Sequence, residues 1–142
     1  MKTTEVLVKD LTKKVIAVRE DTSVKKILEL LKKEKIIPIV DKNNVLIGIV
    51  GEQDLIKLIK SEPSPLAGTV WSEIIDKSQK DKPVKEIMNT TLISVSVNDT
   101  IDSALRIMNN YNLPALVVTD LEGKVVGTIK LRDIFENFLK EG

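Results

Sequence analysis

Two aspartates hold the same place in a pattern that the chain writes twice. Asp133 falls in LRDI after the apolar run VVGTIK, and Asp54 falls in EQDL after LIGIVG. Each run contains a glycine, Gly127 or Gly48, and each aspartate lands in the first turn of the helix that follows. Two uses fit a carboxylate at such a place. With Gly51 and Lys130 as N-caps, Asp54 and Asp133 occupy the third helical position, where the helix dipole stabilises an anion by about 0.3–1 kcal/mol with no ligand present. The other use is to meet a ligand where the two copies face each other. Gly51 also leaves bare backbone N–H groups at a helix start, which suits an anion. Lys130 and Arg132 bring positive charge close to Asp133, although residues of this kind are ordinarily solvated surface charges.

Little else in the chain could do chemistry. Histidine and cysteine are both absent from the 142 residues. That removes the commonest general base, the commonest transition-metal ligand, thiolate nucleophiles and disulfides. There is no P-loop, no Gly-rich nucleotide fingerprint and no metal-ligand cluster, and carboxylate pairs such as Glu20-Asp21 fall in turns. The expectation is a protein that is not an enzyme, requires no cofactor and holds no metal. A net charge of +1 and a mixed-sign charged fraction of 30% argue against a nucleic-acid partner, which would call for a basic stripe. No apolar run approaches the ~18 residues of a membrane span, and MKTTEVLVKD lacks the apolar core of a signal peptide. A cytoplasmic location with no membrane association is expected.

The elements that position the aspartates follow from periodicity. The lead segment contains Val8-Lys9-Asp10-Leu11, which returns as Val84-Lys85-Glu86-Ile87. Residues 15–18 read as a strand with Val15 as its inward end. Thr22 is expected to cap a helix with Val24, Ile27, Leu28 and Leu31 on one face. Residues 36–40 and 45–50 read as two strands joined by an Asn-rich hairpin turn, residues 41–44. Residues 52–60 close the unit as a helix on Leu55, Ile56 and Ile59.

The second unit repeats this order. It has a strand at 92–97, the cap Asp99-Thr100, a helix stripe of Ile101, Ala104, Leu105 and Met108, and a strand at 113–119. A turn with Gly123 supplying positive φ leads to a strand at 124–130, and a helix on Ile134, Phe135 and Phe138 follows. The fold class is therefore α/β (α+β), a tandem β-α-β-β-α repeat, with units at 1–61 and 84–142. Residues 62–83 form a linker with a short helix around Trp71, the only tryptophan. That ring either staples the linker to the core or lines a partner surface.

This ordered set resembles the CBS domain pair, or Bateman module. The resemblance rests on VKEIM, ISVSVNDTIDSALRIM and LPALVVTDLEGKVVGTIKLRDI in the second unit, and on VKDL, IAVREDTSVKKILELL and IPIVDKNNVLIGIVGEQDL in the first. It covers nearly the whole chain outside the segment around Trp71. It implies two units packed with pseudo-two-fold symmetry, leaving two clefts that can each take an adenosine-type ligand: AMP, ADP, ATP or S-adenosylmethionine. In the family an Asp holds the ribose hydroxyls, a Thr/Ser three residues before it meets ribose or phosphate, and adenine inserts among apolar residues of the other unit. Carried over, one cleft joins Asp133 to Val15, Ile16, Ile36, Ile37 and Pro38. The other joins Asp54 to Leu92, Ile93, Leu113 and Pro114. Gly51 and Lys130 stand where the family has Thr/Ser. Gly51 lacks the hydroxyl, whereas Lys130, with Arg132 nearby, could meet phosphate, which favours the Asp133 cleft.

The resemblance implies a regulatory sensor of an adenine nucleotide, acting on a protein partner in trans. It also implies a homodimer formed through the helices at 52–60 and 131–140. The alternative is a ligand-free dimerisation or protein-interaction module with degenerate clefts.

Overall fold

The computed structural model describes residues 6–59 and 77–141, and the expected helix around Trp71 lies outside them. In each half a parallel strand joins an antiparallel pair, giving two three-stranded sheets ordered β1-β2-β3 and β4-β5-β6. The first sheet comprises β1 (Val18–Arg19), β2 (Ile36–Val40) and β3 (Leu46–Gly51). The second comprises β4 (Ser94–Ser96), β5 (Ala115–Thr119) and β6 (Val125–Lys130). Among the described residues four α-helices accompany them: α1 (Val8–Leu11), α2 (Val24–Leu30), α3 (Ile101–Tyr111) and α4 (Leu131–Glu141). The sheets repeat even in their faults, with a register shift at Ile39/Val40 in one and Val118/Thr119 in the other.

The hairpin turns are built alike because Asp41 and Asp120 do the same work. Asp41 Oδ1 accepts from the N–H groups of Asn43 and Val45, and Asp120 Oδ1 from those of Glu122 and Lys124. Asn44 (φ 66) and Gly123 (φ 80) take the left-handed conformation that such turns require.

Three expected elements come out differently. The strand expected at 15–18 shrinks to Val18–Arg19, because only these residues pair with β2, while Lys13 bridges to Thr128 of the other unit. The α2 cap is Ser23, whose Oγ accepts from the Lys26 N–H, since the carbonyl of Thr22 is engaged by Val84 N–H at 2.7 Å. Residues Glu52–Leu58 form a 3-10 helix, whose tighter winding buries Asp54 and Leu58 and leaves Ile56 and Ile59 exposed. Thr100, by contrast, caps α3 as expected, accepting from Ser103 N–H.

The two lead segments are exchanged. Val6 and Val8 pack into the core of the second unit with Val95, Ile101, Leu116 and Ile134. Val84 and Ile87 pack into the core of the first with Val24, Ile27, Ile37 and Ile39. Backbone bonds fix both exchanges, Ile101 N–H to Val6 O and Val24 N–H to Lys82 O. Each core is thus incomplete without the chain that leads into the other unit.

The units are also sutured beside each aspartate. Lys13 and Thr128 exchange two backbone hydrogen bonds of 2.9 Å, and at the matching place Asn89 and Ile49 exchange bonds of 2.8 and 3.0 Å. This contact accounts for one glycine. A Cβ on Gly127 would collide with the carbonyl of Lys13, whereas on Gly48 it would meet the side chain of Met88.

Candidate functional site

The strand–helix junctions bring both aspartates to the seam between units, but surround them differently. Asp54 is turned inward by the 3-10 helix and satisfied locally. Its Oδ2 accepts from Gly51 N–H at 2.8 Å, and its Oδ1 lies 3.3 Å from Lys57 Nζ, which also donates to Ile87 O at 2.9 Å. The N–H that Gly51 offered to an anion is therefore taken by the protein's own carboxylate. The cavity beside Asp54 measures 60 Å³ and is lined by Ile36, Ile93, Leu113 and Ala115 among others. Ligand pockets for small molecules run to ~300–1,000 Å³.

Asp133 begins α4 with less support. Its Oδ1 lies 3.3 Å from Lys13 Nζ, while its Oδ2 is buried and has no hydrogen-bond partner among the described residues. One turn further on, Asn137 Nδ2 is also buried and has no partner among the described residues. Buried polar atoms are nearly always satisfied, so an orphaned carboxylate oxygen singles this site out for attention. Beside Asp133 opens a cavity of 620 Å³ lined from both units: Lys13, Lys33 and Lys35 from the first, Pro114, Lys130, Leu131, Arg132, Phe135 and Glu136 from the second. Five cations converge on it. Lys130 is 3.8 Å from Glu34 and Arg132 is 3.4 Å from Glu136, while Lys33 and Lys35 form no ion pair among the described residues.

The expected site residues are partly regrouped. Asp133, Lys130 and Arg132 do share a cavity, and Asp54, Ile93 and Leu113 share the small one. Pro114 moves across to the Asp133 cavity, and Ile36 to the Asp54 cavity. Ile37 does not face a cleft at all. Successive strand residues point to opposite faces, so Ile37 joins Ile39 inside the first core while Ile36 faces the seam. Pro38 is buried, Val15 half-buried, and Ile16 and Leu92 are exposed. None of these four lines the two cavities. Lys13, Lys33, Lys35 and Asn137 were absent from the expected set. Exposed lysines carry no periodic signal, though the repeat itself places Lys13 opposite Asn89.

A sequence profile of the CBS domain matches residues 8–61 and 84–140. The chain belongs to the CBS domain family. Over 150 aligned residues it is 29% identical to the uncharacterized protein MJ1426 of Methanocaldococcus jannaschii, covering 92% of this chain and 89% of that one. It is 34% identical to inosine-5'-monophosphate dehydrogenase of Aquifex aeolicus over 84% of this chain, but spans only 21% of that enzyme. Among solved structures, it is similar to the CBS domain pair of protein MJ0100 in complex with 5'-methylthioadenosine and S-adenosyl-L-methionine. That likeness has a TM-score of 0.73 and 26% identity, and covers 96% of this chain and 98% of that one. It is likewise similar to CBSX2 in complex with AMP, with a TM-score of 0.75, 25% identity and coverage of 95% and 97%. As in these CBS pairs, a mixed α/β unit is present twice. Among the described residues no helix is long and apolar enough to cross a membrane.

Proposed function

We propose that this CBS pair is a regulatory sensor that binds one adenosine-type nucleotide in the cleft headed by Asp133, and that it signals by a change in the arrangement of its two units. One observation carries the reading. Asp133, whose Oδ2 is buried and unpartnered among the described residues, lines a 620 Å³ cavity that spans both units and is also lined by Lys13, Lys33, Lys35, Lys130 and Arg132. A ligand with sugar hydroxyls at one end and phosphate at the other answers both halves of that description. Hydroxyls donate to the carboxylate, and phosphate oxygens take charge-assisted bonds from the cations. The similar CBS pairs in complex with AMP and with S-adenosyl-L-methionine support the ligand class.

The ligand is held and not turned over, in keeping with a chain that has neither histidine nor cysteine. The likeness to the dehydrogenase covers about a fifth of that enzyme and gives no reason to assign its activity here. Signalling is limited by the ligand's differential affinity for the two arrangements. The output is read by a protein partner in trans. The signalling unit is a homodimer formed through the Glu52–Leu58 helix and α4, which expose Ile56 and Phe135 at matching places.

Thermal unfolding with AMP, ADP, ATP and S-adenosylmethionine tests the reading. A ligand at 100 times its dissociation constant adds about 2.7 kcal/mol and raises the melting temperature. Flat melts at millimolar ligand would leave the second reading, a ligand-free dimerisation module. The 60 Å³ cavity at Asp54 and the self-satisfied carboxylate beside it favour that reading for the Asp54 cleft.

A further inference from the structure

Lys13 stands at a partition. Together with Asp133 and Glu136 it lines both the 620 Å³ cavity and a neighbouring one of 250 Å³ that also contains Asn137. Its ammonium lies 3.3 Å from Asp133 Oδ1, an ion pair between two residues that line both cavities. The main chain beneath cannot retreat, being bonded both ways to Thr128 and seated on Gly127. The side chain is free to move and is 65% exposed.

The first unit has no such device. Asn89 holds Lys13's place in the backbone suture. One turn beyond the aspartate, where the first unit has Lys57, the second has Glu136. Asp54 is therefore neutralised from within its own helix. Asp133 has a like charge at that place and takes its counter-ion from a distant segment.

Resting on the nucleotide reading above, we propose that Lys13 is a specificity-determining residue, a displaceable counter-ion that makes binding at Asp133 depend on phosphate. A ligand whose two vicinal hydroxyls span both oxygens of Asp133 competes with Lys13 for Oδ1. A neutral nucleoside leaves the ammonium with water alone in exchange for a carboxylate. A phosphorylated one re-pairs it, by the stronger charge-assisted kind of bond, in the cavity where Lys33 and Lys35 also stand. Removing Lys13 therefore acts in opposite directions on the two ligands.

Isothermal titration of the full chain with adenosine and AMP tests this, using wild type, Lys13→Met, Lys13→Arg and Lys33→Met. A change of about tenfold corresponds to re-forming one charged hydrogen bond. Wild type should prefer AMP over adenosine by at least about that factor. In Lys13→Met adenosine should bind more tightly and AMP more weakly, so that the preference falls by about tenfold. Lys13→Arg should restore it, and Lys33→Met should weaken AMP alone. If Lys13→Met weakens AMP while leaving adenosine unmoved, as Lys33→Met does, Lys13 is a phosphate contact only and the counter-ion role is overturned. An unchanged preference overturns it as well. A wild-type protein that binds neither ligand overturns the nucleotide reading instead, a separate failure.

Discussion

Lys57 Nζ lies 3.3 Å from Asp54 Oδ1, an ion pair made one turn along the same short helix. With Oδ2 capping Gly51, the pair makes Asp54 part of the framework. Asp54→Ala leaves the buried Gly51 N–H without its acceptor, which costs about 1–3 kcal/mol, and takes the carboxylate from Lys57. Asp133→Ala removes an ion pair whose lysine is largely exposed, a contact worth about 0–1 kcal/mol. Calorimetry of the ligand-free variants should show the larger fall in melting temperature for Asp54→Ala. The ligand-induced rise in melting temperature should vanish in Asp133→Ala alone.

Stoichiometry follows from the same contrast. A cavity of 60 Å³ cannot hold a nucleoside without parting Ile36, Ile93, Leu113 and Ala115, and apolar packing of that kind resists opening. Titration with the best ligand of the panel should give one site per chain. Two equivalent sites would show that the Asp54 cleft opens.

Gly127 and Gly48 mark the two sutures, but with different neighbours. A methyl group at Gly127 collides with the backbone of Lys13, which its own hydrogen bonds hold in place. At Gly48 it meets the flexible end of Met88, which can swing aside. Gly127→Ala should therefore destabilise by about 1–3 kcal/mol, the usual range for overpacking, and Gly48→Ala by clearly less. Chemical denaturation of the two variants checks the order.

Much of this architecture was legible in the sequence because it is local. The stripe Ile101, Ala104, Met108 and the cap Thr100 specify α3 wherever they occur, and Asn44 and Gly123 announce their turns. The matched aspartates were legible because the repeat could be laid over itself. What depends on tertiary exchange was not. Val8 and Val84 look like beginnings of their own units, and nothing in their periodicity says that each completes the other's core. Ser23 displaced Thr22 as a cap because Val84, from the other unit's lead, claims the Thr22 carbonyl. The cations at Asp133 come from three separate stretches, and only the seam brings Lys13, Lys33 and Lys35 together. Phe135 was expected inside with Ile134 and Phe138, yet it is 53% exposed, because α4 turns only the other two to the core.

That exposure leads to the last expectation. Phe135 on α4 and Ile56 on the Glu52–Leu58 helix, 53% and 67% exposed, hold matching positions in the two units. Leu139, one turn beyond Phe135, is exposed as well. Large apolar side chains clustered on a surface mark an interaction site, whereas scattered ones need no explanation. A two-fold contact through α4 would bury Phe135 of both copies, since an isologous interface uses the same patch on each subunit. Phe135→Glu places a charge in the centre of such a contact while leaving the core residues Ile134 and Phe138 in place. Light scattering coupled to size exclusion should give a dimer mass for the wild type and a monomer mass for Phe135→Glu, with the far-ultraviolet circular dichroism unchanged. A wild-type protein that elutes as a monomer at all concentrations would instead leave this face to a different partner, and nucleotide binding at Asp133 should then proceed in the single chain.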